Sequence, residues 1–130
     1  MFINNLTRSQ QAIFLGLAED LIAVDGKIDE RETNILRTLT TLCDGDASAV
    51  KNGSDAELVE EFSDRKSRVS LLLELIGIAY ADEAYDEREK GFINRLATAL
   101  GVPGVLVEDL ESWVHRQMIL NQEAQIFMEE

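Results

Sequence analysis

Cationic side chains are scarce in this chain, with twelve Lys and Arg against 25 Asp and Glu and a formal net charge of -13. No basic surface of the size needed to track a phosphate backbone is available, so nucleic acid is excluded as an expected partner. One cysteine, Cys43, excludes an internal disulfide framework. One histidine, His115, is too few for the paired Glu-x-x-His motifs of a di-iron bundle. No P-loop, dinucleotide fingerprint, zinc-ligand cluster or Gly-rich phosphate loop occurs. Long apolar runs are missing too: the stretch 69–81 falls short of the roughly 20 residues of a membrane span and contains Glu74. The first residues lack a charged region followed by an apolar core, so no secretory signal is read there and a cytoplasmic location is expected.

What the chain does contain is 45% hydrophobic residues in 130, enough for one domain with a normal core. With one proline and 6% aromatics, that core must be Leu, Ile, Ala and Val, a palette that favours helices. Apolar residues recur at helical spacing in Phe14, Leu17, Ala18, Leu21 and Ile22, behind a Thr7-Arg8-Ser9-Gln10 capping box. A second stripe holds Ile35, Leu36, Leu39, Leu42 and Cys43, which makes Cys43 a buried structural thiol. Ser54 caps a short third helix, and a fourth, from about Asp64 to Ala81, is apolar on nearly every side and reads as the buried central one. A fifth closes at Gly101, and a sixth carries Leu106, Leu110, Trp113, Val114 and Gln117, with Trp113 as a core anchor. The expectation is an all-α bundle of about six helices in one domain, with pseudo-repeats at about 7–43 and 64–101, an insert at 44–63 and a C-terminal helix at 104–128.

Three surface features accompany these helices. His115 falls off the stripe one turn after Glu111 and reads as an exposed Glu-His pair. Arg65, Lys66 and Arg68 read as a solvated face, or as a dock for an acidic partner. Ile126, Phe127 and Met128 stand beyond the last clear stripe and are expected to dock on the core, the alternatives being an extended sixth helix or a self-association contact.

The acidic stretch Asp25-Gly26-Lys27-Ile28-Asp29-Glu30-Arg31-Glu32 returns 57 residues later as Asp82-Glu83-Ala84-Tyr85-Asp86-Glu87-Arg88-Glu89. Between Asp25 and Leu39 six of 15 positions repeat. Each copy follows an apolar helical run and opens another, so each is the elbow of a helical hairpin. Asp29 and Asp86 are placed as N-caps, with Glu32 and Glu89 as reciprocal partners. Asp25 and Asp82 fall near helix C-termini, where an anion opposes the macrodipole unless turn amides, Arg31 or Arg88, or a bound cation compensates. The first copy also matches the second half of an EF-hand loop, but Leu21 and Ala23 occupy the first and third ligand places. A remnant of that kind binds calcium weakly, or needs ligands from the other elbow.

The segments Leu21-Ile22-Ala23-Val24-Asp25-Gly26 through Glu32, Ile78-Ala79-Tyr80-Ala81-Asp82-Glu83 through Glu89, and Leu96-Ala97-x-x-Leu100-Gly101-Val102 resemble the TerB-like domains of the tellurite-resistance TerB family. The resemblance implies an all-helical bundle of two related halves, with links to tellurite and chemical-stress resistance and to membrane-anchored J-domain cochaperones. It attaches no enzymatic activity, and it implies possible metal sites at the elbows, here Asp25, Asp29, Glu32, Asp82, Asp86 and Glu89. The second copy departs from the family pattern in having Glu83 in place of Gly.

Two functions follow as expectations. The first is a non-catalytic protein-interaction module of unidentified partner, able to self-associate through its tail or to sit in a membrane-proximal assembly. The second is a divalent-cation binder with calcium favoured for hard oxygen donors.

Overall fold

The run that is apolar on nearly every side occupies the centre of the fold. In the computed structural model, which describes residues 2–25, 30–43, 49–50, 53–81 and 85–129 (backbone alone for 25 and 30–32), six α-helices follow one another and no strand occurs among the described residues. They are α1 (Arg8–Ile22), α2 (Glu30–Leu42), α3 (Asp55–Glu61), α4 (Arg65–Ala81), α5 (Glu87–Leu100) and α6 (Gly104–Met128), with short 3-10 turns at Ile3–Asn5 and Ala23–Asp25. Helix α4 packs against α1, α5, α6 and the N-terminal turn, and its Leu71, Leu72, Leu75 and Ile76 are fully buried. Helix α1 lies on α2, and α5 on α4, as two hairpins require.

Local chemistry sets the helix ends. Thr7 Oγ1 accepts from the Gln10 amide at 3.2 Å, and Gln10 Oε1 accepts from the Thr7 amide at 2.9 Å, closing the expected capping box. The same Gln10 donates Nε2 to the Glu61 carbonyl at 2.8 Å, tying the start of α1 to the end of α3. Gln11, buried, donates to the Leu6 carbonyl at 3.1 Å and holds the N-terminal turn. Asp64 Oδ1 accepts from the Ser67 amide at 2.8 Å and so caps α4. Gly101 ends α5 in the left-handed conformation at φ 74°, and Val102 donates to the Ala97 carbonyl at 2.8 Å in a Schellman-type closure.

Helix α1 is crossed at Gly16. The Val50 amide donates to the Ala12 carbonyl at 3.0 Å, which brings the Val50 backbone onto the Ala12 and Gly16 surface. A side chain at 16 would occupy the space taken by the Val50 carbonyl.

Three expectations are corrected. The tail does not dock: α6 runs on to Met128, and Phe127 is 85% exposed. The run Asn121-Gln122-Glu123-Ala124-Gln125 has no glycine or proline to stop a helix, so the axis carries the last apolar residues past the body instead of folding them back. Trp113 is 36% exposed and packs edge-on against Phe2 with ring centroids 5.7 Å apart, while Val107, Leu110 and Val114 form the buried face of α6. Arg68 is not part of a solvated face, since its Nε donates to the Phe62 carbonyl at 2.6 Å and closes the connection between α3 and α4. Cys43 is buried as expected.

Candidate functional site

The second elbow is built from its cap outward. Asp86 Oδ1 accepts from the Glu89 amide at 2.9 Å, and Glu89 Oε1 accepts from the Asp86 amide at 3.1 Å. Both carboxylates therefore serve helix initiation, as their spacing predicts. Tyr85, one residue earlier, inserts against the core, its ring 4.8 Å from that of Tyr80 and under the Lys90 ammonium at 5.5 Å. The Tyr85 hydroxyl is buried beside Glu111 without closing a well-formed hydrogen bond. Burial first, and the Glu111 carboxylate next, push the phenol far above its ordinary pKa of 10.0. Tyr80 also approaches His115, with centroids 5.6 Å apart, so that His115 stands beside an aromatic ring on the exposed side of α6.

The first elbow follows the 3-10 turn Ala23–Asp25, which places Asp25 just past the end of α1 as read from the sequence. That turn packs against α5, the helix capped by Asp86, so the chain brings the end of the first hairpin arm to the second arm of the other hairpin. Asp29, Asp82, Gly26, Ile28 and Glu83 lie outside the described residues, and the side chains of Asp25 and Glu32 are not described. Among the described residues, no group of three His, Cys, Asp or Glu side chains is placed to hold a metal ion.

A second feature was not foreseen. A cleft of about 740 Å³ opens between α1, α3 and α5. Its apolar lining is Leu17, Leu58, Phe92, Leu96 and Ala99, and its polar lining is Asp20, Asp55, Asn94, Arg95 and Thr98. The stripe of α5 containing Phe92 and Leu96 was legible, but the cleft depends on α3 packing across α5, a non-local contact with no periodic signal. Among the described residues no helix is long and apolar enough to cross a membrane.

The model of the family described as tellurite resistance protein TerB matches residues 15–111, from buried Leu15 in α1 to Glu111 in α6. No curated protein and no solved structure matches the chain. The match spans both elbows and all of α2 to α5, about three quarters of the sequence, and the helical fold agrees with it: the chain belongs to the tellurite resistance protein TerB family.

Proposed function

We propose that this chain is a non-catalytic protein-interaction module whose α1/α3/α5 cleft receives a partner segment bearing apolar anchors flanked by basic residues. The observation that carries the reading is the cleft itself, whose lining combines the apolar Leu17, Leu58, Phe92, Leu96 and Ala99 with the carboxylates of Asp20 and Asp55, on a chain of net charge -13. Such a surface suits an amphipathic helix laid with its apolar face inward. Its lining is made of aliphatic, aromatic, carboxylate, amide, hydroxyl and guanidinium groups, while Cys43 and His115 are not among the lining residues. The family's name supports a role in the response to tellurite or related chemical stress. Affinity capture with the full chain and with Asp20→Lys/Asp55→Lys tests the proposal. The wild type is expected to retain a basic partner that the folded variant releases; equal retention by both, or none by the wild type, rejects it.

The second reading is a divalent-cation site at the elbows, favoured by the packing of the Ala23–Asp25 turn on α5. Asp25, Asp29, Glu32, Asp82, Asp86 and Glu89 would supply oxygen donors, for which calcium is the preferred ion. Titration calorimetry with calcium, magnesium, zinc and manganese should give a heat that Asp25→Ala/Asp82→Ala abolishes. Equal heats in both proteins, or none in the wild type, would reject it.

A further inference from the structure

The free half of α6 carries an apolar face that no part of the described chain covers. Ile119, Leu120, Ile126 and Phe127 are all exposed, Leu120 at 57% and Phe127 at 85%. Spacings of seven residues put Trp113, Leu120 and Phe127 in one line along the helix and Ile119 and Ile126 in a second line beside it. Between the two lines lie Arg116 and Glu123, also seven apart and both exposed. Arg116 donates its Nε to the Ser112 carbonyl at 3.3 Å, a bond within its own helix.

We propose that two copies of this chain associate through this face, α6 against α6 and antiparallel. The order of residues specifies the direction. Trp113 and Phe127 are equidistant from Leu120, and Arg116 and Glu123 are equidistant from the Ile119-Leu120 pair. A twofold axis beside Leu120 therefore sets Leu120 against Leu120 of the partner subunit, Phe127 beside Trp113 of the partner subunit, and Arg116 opposite Glu123 of the partner subunit. All of these contacts occur in one register, within a single residue. A parallel pairing would instead place Arg116 against itself and Glu123 against itself, two like-charge contacts in the middle of the interface. Antiparallel pairing is isologous and closes on itself, so it ends at a dimer.

A lipid surface fits this face less well. An interfacial helix needs basic residues flanking its apolar face, and the sequence from Arg116 onward offers one Arg against Glu123, Glu129 and Glu130. The exposed part of Trp113, already steadied by Phe2, supplies an aromatic landing site for the partner's last turn at the base of the free half. Two single helices make an interface below roughly 1,200 Å², the range of weak and reversible association.

Sedimentation velocity of the full chain in reducing buffer, over a range of about 1 to 500 μM appropriate to such an interface, tests the proposal. A concentration-dependent monomer-dimer equilibrium is expected, abolished over the whole range by Leu120→Asp and by Phe127→Asp. These positions are exposed, so circular dichroism should show the fold of both variants intact. Arg116→Glu should weaken the dimer by about tenfold, and adding Glu123→Arg should restore it; in a parallel pairing the single change merely exchanges one like-charge contact for another. A chain monomeric throughout, a dimer indifferent to Leu120→Asp, or an Arg116→Glu variant that dimerises as the wild type does would overturn the proposal. So would binding of the monomer to anionic or zwitterionic vesicles through the same residues.

Discussion

Replacing Gly16 by alanine sets two effects of opposite sign against each other. Within a helix the change gains about 0.5 to 1 kcal/mol through propensity. At this position, however, a Cβ would stand 2.0 Å from the Val50 carbonyl oxygen and 3.0 Å from its carbon, and both are backbone atoms that cannot rotate away. The segment must lift off α1, at a cost in the overpacking range of about 1 to 3 kcal/mol. Lifting also strains or breaks the hydrogen bond from the Val50 amide to the Ala12 carbonyl, worth about 0.5 to 1.5 kcal/mol net. The steric terms win, and Gly16→Ala should destabilise the protein by about 1 to 3 kcal/mol, lowering Tm by roughly 4 °C per kcal/mol for a chain of this size. Gly77 in α4 is the matched control, because nothing lies within 4 Å of a Cβ built there. Gly77→Ala should therefore stabilise by the propensity gain alone. Urea unfolding followed by circular dichroism measures both changes at one denaturant slope. A Gly16→Ala protein as stable as the wild type or more so would refute the close approach of Val50.

Three further outcomes test the helix ends and the elbow. Gly101→Ala should cost about 1 to 2 kcal/mol in the same unfolding assay, because its site is open and only the left-handed backbone at φ 74° resists the change. Hydrogen bonds from Ser67 hold the Asp64 carboxyl below its ordinary value of 3.8. The stability that Asp64 lends is thus complete above that value and lost as pH falls through the lowered pKa, so Tm of wild type and Asp64→Ala should differ at pH 7 and converge in strong acid. Tyr85→Phe removes a buried hydroxyl with no well-formed hydrogen bond and should leave stability unchanged or raise it by up to about 1 kcal/mol. Because the folded state resists ionising this phenol, the wild type should also lose stability as pH rises above 10.0 and the Tyr85→Phe protein should lose less.

The helices were legible because their signals are local. Thr7 with Gln10, Asp86 with Glu89 and Gly101 are each decided within a few residues of sequence, and all three act as their spacing predicts. The centre of the fold was legible for a similar reason, since a helix apolar on nearly every side, with Leu71, Leu72, Leu75 and Ile76 close together, must bury most of its surface. The misreadings share the opposite property. Arg68 looked solvated because nothing in Arg65-Lys66-Ser67-Arg68 announces that the Phe62 carbonyl will lie within its reach. Ile126, Phe127 and Met128 were expected on the core because apolar clusters usually bury themselves. That rule takes no account of a rigid helix that has already left the body. The cleft between α1, α3 and α5 depends on packing between segments far apart in sequence. Of the elbow, the capping roles of Asp86 and Glu89 were legible, while Asp29 and Asp82 lie outside the described residues.

The continuity of α6 has a consequence for amide exchange. One uninterrupted ladder of hydrogen bonds runs from the buried turn around Val107, Leu110 and Val114 to the exposed turn at Phe127. Deuterium should enter the first part only when the whole core opens, and the second by fraying from its end, so a single helix spans the range of opening free energies from local to global. Read residue by residue, its exchange rates form a gradient along the axis, and the point where that gradient steepens marks where the core stops supporting the helix.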